Sequence, residues 1–149
     1  MVRSSDPRES SPLETALEHV GDRWSLLLVE ALLVRPHRFN ELLEAVPGIA
    51  PNILTDRVRR LERERLIVAT QYQARPPRMS YALTSDGRGL ASALRLLADW
   101  GARRSHGADG DASSPIRHSL CGTPLEAHLF CATCNVRVDA PDAETLVTF

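Results

Sequence analysis

The sequence predicts an α+β fold, mainly helical: a winged helix-turn-helix, a long C-terminal helix suited to dimerisation, and a small β-ribbon tail of zinc-knuckle type. Three observations carry that expectation. Helical periodicity over 40–46 and again over 51–64 is joined by the short turn Pro47-Gly48-Ile49-Ala50. Two β-rich runs, 66–72 and 79–83, flank a tip that contains two prolines. All three cysteines lie in the last 34 residues, beyond a Gly/Ser/Asp/Pro stretch.

A chain of 149 residues, 43% hydrophobic, can bury one ordinary core and a small appendage, so two full domains are not expected. The expected order is a flexible N-terminus over 1–10, the winged helix-turn-helix and dimerisation helix over 11–104, a linker over 105–115 and the tail over 116–149. No 18 consecutive residues are apolar, and the start, MVRSSDPRESSP, is polar. Neither a membrane span nor a secretory signal is expected, which reads as a cytoplasmic chain with no membrane partner.

The first helix should open at Ser11-Pro12-Leu13-Glu14, where Ser11 caps, proline takes the first helical position and Glu14 reaches back in a capping box. Gly21-Asp22-Arg23 breaks it near Val20. The run from Trp24 to Val34 is apolar nearly all round, the pattern of a buried central helix, and Pro36 stops it. A strand stub at 37–39 precedes the next helix, for which Asn40 is the expected cap. Pro51 then opens a helix whose core face is Leu54, Val58 and Leu61. After the hairpin, or wing, Thr84 should cap one long helix through about Arg104. Leu90, Leu94, Leu97 and Gly101 lie on one side of that helix, and Ala93, Leu96 and Trp100 widen the stripe. A stripe so broad calls for a second covering surface, so a C2 homodimer is expected.

All 18 basic residues are arginine, the side chain whose planar fork suits phosphates and guanine edges, although genome base composition accounts for the bias equally well. Net charge is −1, yet the charge is uneven. Between positions 35 and 78 nine arginines face five acids, a balance of +4, and the remainder carries −5. A basic middle between acidic ends fits double-stranded DNA as partner, and a solvated charged face is the plainer alternative.

With Leu54, Val58 and Leu61 inward, the helix opened by Pro51 should show Asn52, Thr55, Asp56, Arg59, Arg60 and Arg63 to solvent. Short hydrogen-bonding side chains at its N-terminal half can approach base edges, and arginines farther along reach phosphate or guanine. Arg75 and Arg78 flank the two prolines of the tip, where an arginine can enter a minor groove. Arg38 and Pro51 complete the expected DNA-binding set. For any one arginine the competing reading is a surface ion pair, for example Arg57 or Arg60 with Glu62 or Glu64.

The stretches SPLETALEHVGDRWSLLLVEALL, PHRFNELLEAVPGIAPNILTDRVRRLERERLI, PPRMSYALTSDGRGL and LADWG together resemble the HxlR-type branch of winged-helix regulators, related to the MarR group. The resemblance covers about two-thirds of the chain, Ser11 to about Arg104. It implies a homodimeric bacterial regulator that binds a palindromic site and represses or activates nearby genes, in some members in response to a small molecule or an oxidant. In the family the position before the proline is often a redox-sensing cysteine. Here it is Ser11, which cannot form a sulfenic acid or a disulfide.

The cysteines form two close pairs of donors, His118-x2-Cys121 and Cys131-x2-Cys134, in the contexts HSLCGTPL and CATCNVRV. Such spacing suits one tetrahedral structural zinc per chain held by a Cys₃His set, with Gly122 permitting a tight turn. Buried unliganded cysteines, a Cys131–Cys134 redox pair, and a disulfide with one thiol left over are the competing readings, and an odd count in a cytosolic chain disfavours disulfides. Four filled positions leave no opening for catalysis, and Glu126 is the nearby carboxylate.

Trp24 and Trp100 read as core, and His19 and His37 as polar surface. No phosphate-binding glycine loop, nucleophile elbow or HExxH motif is present, so no enzyme is expected. A DNA-binding regulator leads, and a winged-helix and zinc-ribbon adaptor for other proteins is the alternative.

Overall fold

A computed structural model describes residues 10–105, 117–125 and 128–138. Most of the expected flexible N-terminus, the expected linker from 106 onward, Glu126 and the last eleven positions, 139–149, lie outside the described residues. The chain divides into two compact units, Met1–Ala91 and Ser92–Phe149.

In the first unit α1 is Pro12–Val20. Its start is the expected capping box: the Ser11 hydroxyl accepts the Glu14 amide at 3.1 Å, and the Glu14 carboxylate accepts the Ser11 amide at 2.7 Å. Helix α2, Arg23–Val34, is capped by Asp22, whose carboxylate accepts the Trp24 and Ser25 amides at 3.1 and 3.0 Å. The same carboxylate takes the Ser25 hydroxyl at 2.6 Å, which satisfies a fully buried polar group. Strand β1, His37–Arg38, leads into α3, Phe39–Ala45, and α4, Pro51–Arg63. Strands β2, Ile67–Gln73, and β3, Arg78–Leu83, complete an antiparallel sheet in the order β1-β3-β2.

The core sits where α2, α3, α4 and the sheet converge. Leu28, Val29 and Leu32 of α2, Leu42 of α3 and Leu54, Val58 and Leu61 of α4 are buried, with Leu66, Ile67 and Leu83 beneath them. The three α4 residues recur at i, i+4 and i+7, so one face of that helix is committed inward. The turn between α3 and α4 passes through Gly48 at φ +88°, a conformation that favours glycine, and plugs Val46 and Ile49 into the core on either side.

Four sequence expectations change. Asn40 does not cap α3; the cap position falls two residues earlier, at Arg38, whose amide is bound by the Glu41 carboxylate at 2.6 Å. His37 is buried rather than on the surface, its Nδ1 2.8 Å from the Arg35 carbonyl oxygen. The expected single helix after Thr84 is two, α5 Ser85–Gly89 and α6 Ala91–Ser105. Glycine at 87 and 89 weakens helical continuity, and the Leu90 amide turns back to the Gly87 carbonyl at 3.3 Å in a tighter turn. Trp100 on α6 is 54% exposed and so is not core.

In the second unit α6 is followed by an isolated bridge, Arg117↔Pro124, and a hairpin of β4, Leu129–Cys131, with β5, Val136–Val138.

Candidate nucleic-acid interface

Burial of Leu54, Val58 and Leu61 turns the opposite side of α4 outward. Pro51, Asn52, Asp56, Arg59 and Arg63 are exposed and Thr55 is half-buried. The Thr55 hydroxyl donates to the Pro51 carbonyl at 2.9 Å, which fixes its rotamer while its oxygen can still accept. Asn52, Thr55, Arg59 and Arg63 therefore form one continuous polar face that begins at the helix N-terminus.

Arg60 departs from that face. Its guanidinium stands 3.6 Å from the Asp22 carboxylate and also donates to the Glu18 carbonyl, while Arg57 Nε lies 3.1 Å from the other Asp22 oxygen. Sequence proximity suggested Glu62 or Glu64 as partners for Arg57 and Arg60, but the fold supplies Asp22, the α2 cap. Partial burial works against ionisation of Asp22, and the Ser25 hydroxyl and amide together with Arg57 and Arg60 outweigh it, holding the carboxyl below its ordinary 3.8. One carboxylate thus caps α2 and anchors the flank of α4. The Asp22 cap follows from its place before an apolar run. Its ion pairs do not, because no local pattern brings α4 onto the start of α2.

The wing carries Arg75 and Arg78 in exposed positions. Its tip is tied by Gln73, whose amide donates to the Arg75 carbonyl at 2.9 Å, and its register is irregular between Gln71 and Gln73. Arg38 is exposed at the mouth of α3, with its guanidinium 4.4 Å from the centroid of the Tyr72 ring, a cation–π contact from the helix-turn-helix to the wing. Between them lies an open cleft of about 570 Å³ lined by Arg38, Asn40, Glu41, Tyr72, Arg78 and Tyr81 among others. Glu41 offsets part of this positive charge; the Arg38 amide, then Arg35, hold its carboxyl below the usual value.

In the tail, His118 Nδ1 lies 3.3 Å from Cys121 Sγ, and Cys134 lies in the turn between β4, which ends at Cys131, and β5. The thiols are free, with Cys121 and Cys134 exposed and Cys131 half-buried, so the reading as buried core cysteines is set aside. Among the described residues no three His, Cys, Asp or Glu side chains are gathered at one point. The four expected ligands stand as two separate pairs.

Residues 19–108 match the model of the HxlR-like helix-turn-helix family. The chain belongs to that family. It is 38% identical over 98 residues to the uncharacterised HTH-type transcriptional regulator YdeP of Bacillus subtilis, covering 66% of this chain and 77% of YdeP. It is 32% identical to the uncharacterised HTH-type regulator Rv3095 of Mycobacterium tuberculosis over 132 residues, covering 89% of this chain and 82% of that one, a span long enough to run into the tail. Among solved structures, the redox regulator HypR in its reduced form superposes with a TM-score of 0.60 at 32% identity, over 63% of this chain and 94% of HypR. This HxlR-type chain is a DNA-binding transcription regulator. No helix among its described residues is long and apolar enough to cross a membrane.

Proposed function

We propose that this regulator binds a palindromic operator as a homodimer, with the exposed face of α4 in the major groove. Asn52 and Thr55 approach base edges, Arg59 reads a guanine, and Arg63 holds backbone phosphate. Arg75 and Arg78 of the wing enter the neighbouring minor groove, and Arg38 neutralises a phosphate between the two contacts. Arg60 is left out of the set, because Asp22 and the Glu18 carbonyl already engage its guanidinium.

The observation that carries this reading is the division of labour on α4. Its apolar face is buried, its Arg57–Arg60 flank is tied to Asp22, and the remaining polar face is unobstructed. A helix fixed on two sides presents the third without rotating. Dimerisation is supported by apolar side chains standing in solvent: Leu13 and Leu17 on α1 are 68% and 52% exposed, and Leu96 and Leu97 on α6 are 48% and 52% exposed. With serine at position 11, a signal cannot enter through a thiol there. A regulator of bacterial type with this interface works where the chromosome is, in the cytoplasm.

Footprinting on the DNA upstream of its own gene tests the proposal. Protection should cover two inverted half-sites about one helical turn, or a multiple, apart, with affinity falling steeply as salt rises. Equal binding to unrelated fragments, with no protected palindrome, would refute operator recognition and favour a protein-binding adaptor.

A further inference from the structure

The tail presents two turns of the same construction. In the first, the donors His118 and Cys121 stand three positions apart, Gly122 follows at φ +70°, and the His118 amide closes the turn on the Thr123 carbonyl at 2.9 Å. In the second, Cys131 and Cys134 stand three apart, Asn135 follows at φ +54°, and Cys131 closes the turn by pairing with Val136. Donor, second donor, left-handed residue and closing partner recur at the same offsets. A left-handed conformation is uncommon for any residue but glycine, so its recurrence directly after each second donor marks a shared geometry. In the first turn the two donors already converge, with His118 Nδ1 3.3 Å from Cys121 Sγ.

Leu120, Leu125, Leu129, Phe130 and Val136 are all exposed, Leu120 at 88% and Phe130 at 61%, so among the described residues these side chains form no apolar core for the two turns. Units this small ordinarily need a cross-link or a metal, and three thiols cannot all be paired as disulfides within one chain.

We propose that one zinc ion joins the two turns, bound by an imidazole nitrogen of His118 and the sulfurs of Cys121, Cys131 and Cys134. Each turn supplies half of a tetrahedron. The three thiols lose their protons to solvent as the ion binds, the imidazole binds in its neutral form, and the completed site carries one negative charge. With four protein donors no position remains for water, so the ion is structural.

Full-length protein, purified without chelators from zinc-replete cells, should contain about one zinc per chain by elemental mass spectrometry, the stoichiometry of a closed Cys₃His site. Replacement by cobalt should give the visible ligand-field bands of a tetrahedral thiolate site. Cys121→Ser and Cys134→Ser should each lose most of the metal while keeping the helical circular dichroism of the DNA-binding unit, whose core lies elsewhere. Wild-type protein with negligible zinc would overturn the proposal, as would full zinc retention in the His118→Ala/Cys121→Ser double variant. Recovery of Cys131 and Cys134 as a disulfide from freshly prepared, metal-free wild-type protein would overturn it in favour of a redox pair.

Discussion

Arg59 and Arg60 are adjacent in sequence and identical in chemistry, and the structure gives them opposite fates. Arg59 stands free on the outer face of α4, and Arg60 is folded back onto Asp22. Arg59→Ala is expected to weaken operator binding by about 1–3 kcal/mol and to relax preference at one base pair, with thermal stability nearly unchanged. Competition assays against operators altered one position at a time check it; uniform weakening would make Arg59 a phosphate contact. Asp22 offers the matching test on stability. Asp22→Ala removes both the α2 cap and the counter-charge of Arg57 and Arg60, and the cap alone is worth about 0.5–2 kcal/mol. Asp22→Asn keeps a capping oxygen and should cost less, so the difference between the two variants reports the cap and the cost of Asp22→Asn itself reports the ion pairs. Because the folded carboxyl is held below 3.8, its contribution is complete above that value and disappears as pH falls through the lower, folded value. The stability gap between wild type and Asp22→Asn, followed by urea unfolding, should therefore be constant near neutrality and close in strong acid.

At the scale of elements, the sequence was most legible where one local rule decides. Ser11 with Glu14, Pro51 at a helix start, the inward triplet of α4 and the wing strands all follow from capping, proline geometry and periodicity, and the structure bears them out. It was least legible where a distant backbone intervenes. A Cβ on Gly87 would lie 2.1 Å from the Leu66 carbonyl oxygen, so Gly87 is where the start of β2 crowds α5, and that approach has no signature in the residues around it. Gly87→Ala must displace backbone and should destabilise the fold strongly. At Gly89 a Cβ meets nothing within 4 Å, so Gly89→Ala should be neutral or stabilise by up to about 1 kcal/mol through helix propensity. A large fall in thermal midpoint for Gly87→Ala beside an unchanged or raised one for Gly89→Ala is the expected result, and equal falls would contradict the crowding at Gly87.

At the scale of the whole molecule, α6 shows why a broad apolar stripe could be found in the sequence while its destination could not. The period of Leu94, Leu97 and Trp100 marks a covered face but carries no information on whether the cover belongs to the same chain. Trp100 was expected in the core, yet it stands 54% exposed beside Leu96 and Leu97, and Arg104 lies 5.4 Å from its ring centroid. An aromatic surface of this kind on a monomer invites a second copy, and two copies would present two α4 helices to one palindrome. Linking two half-site contacts in one particle raises affinity by about 10²–10⁴ without any new contact to DNA. Leu97→Asp combined with Trp100→Asp should therefore yield a monomer by light scattering, with the helical signal retained and operator binding weakened by that factor. Binding to a single half-site should change little. A variant that remains dimeric would move the interface away from α6, and a monomer that still bound the full palindrome as tightly as wild type would remove the need for a dimer.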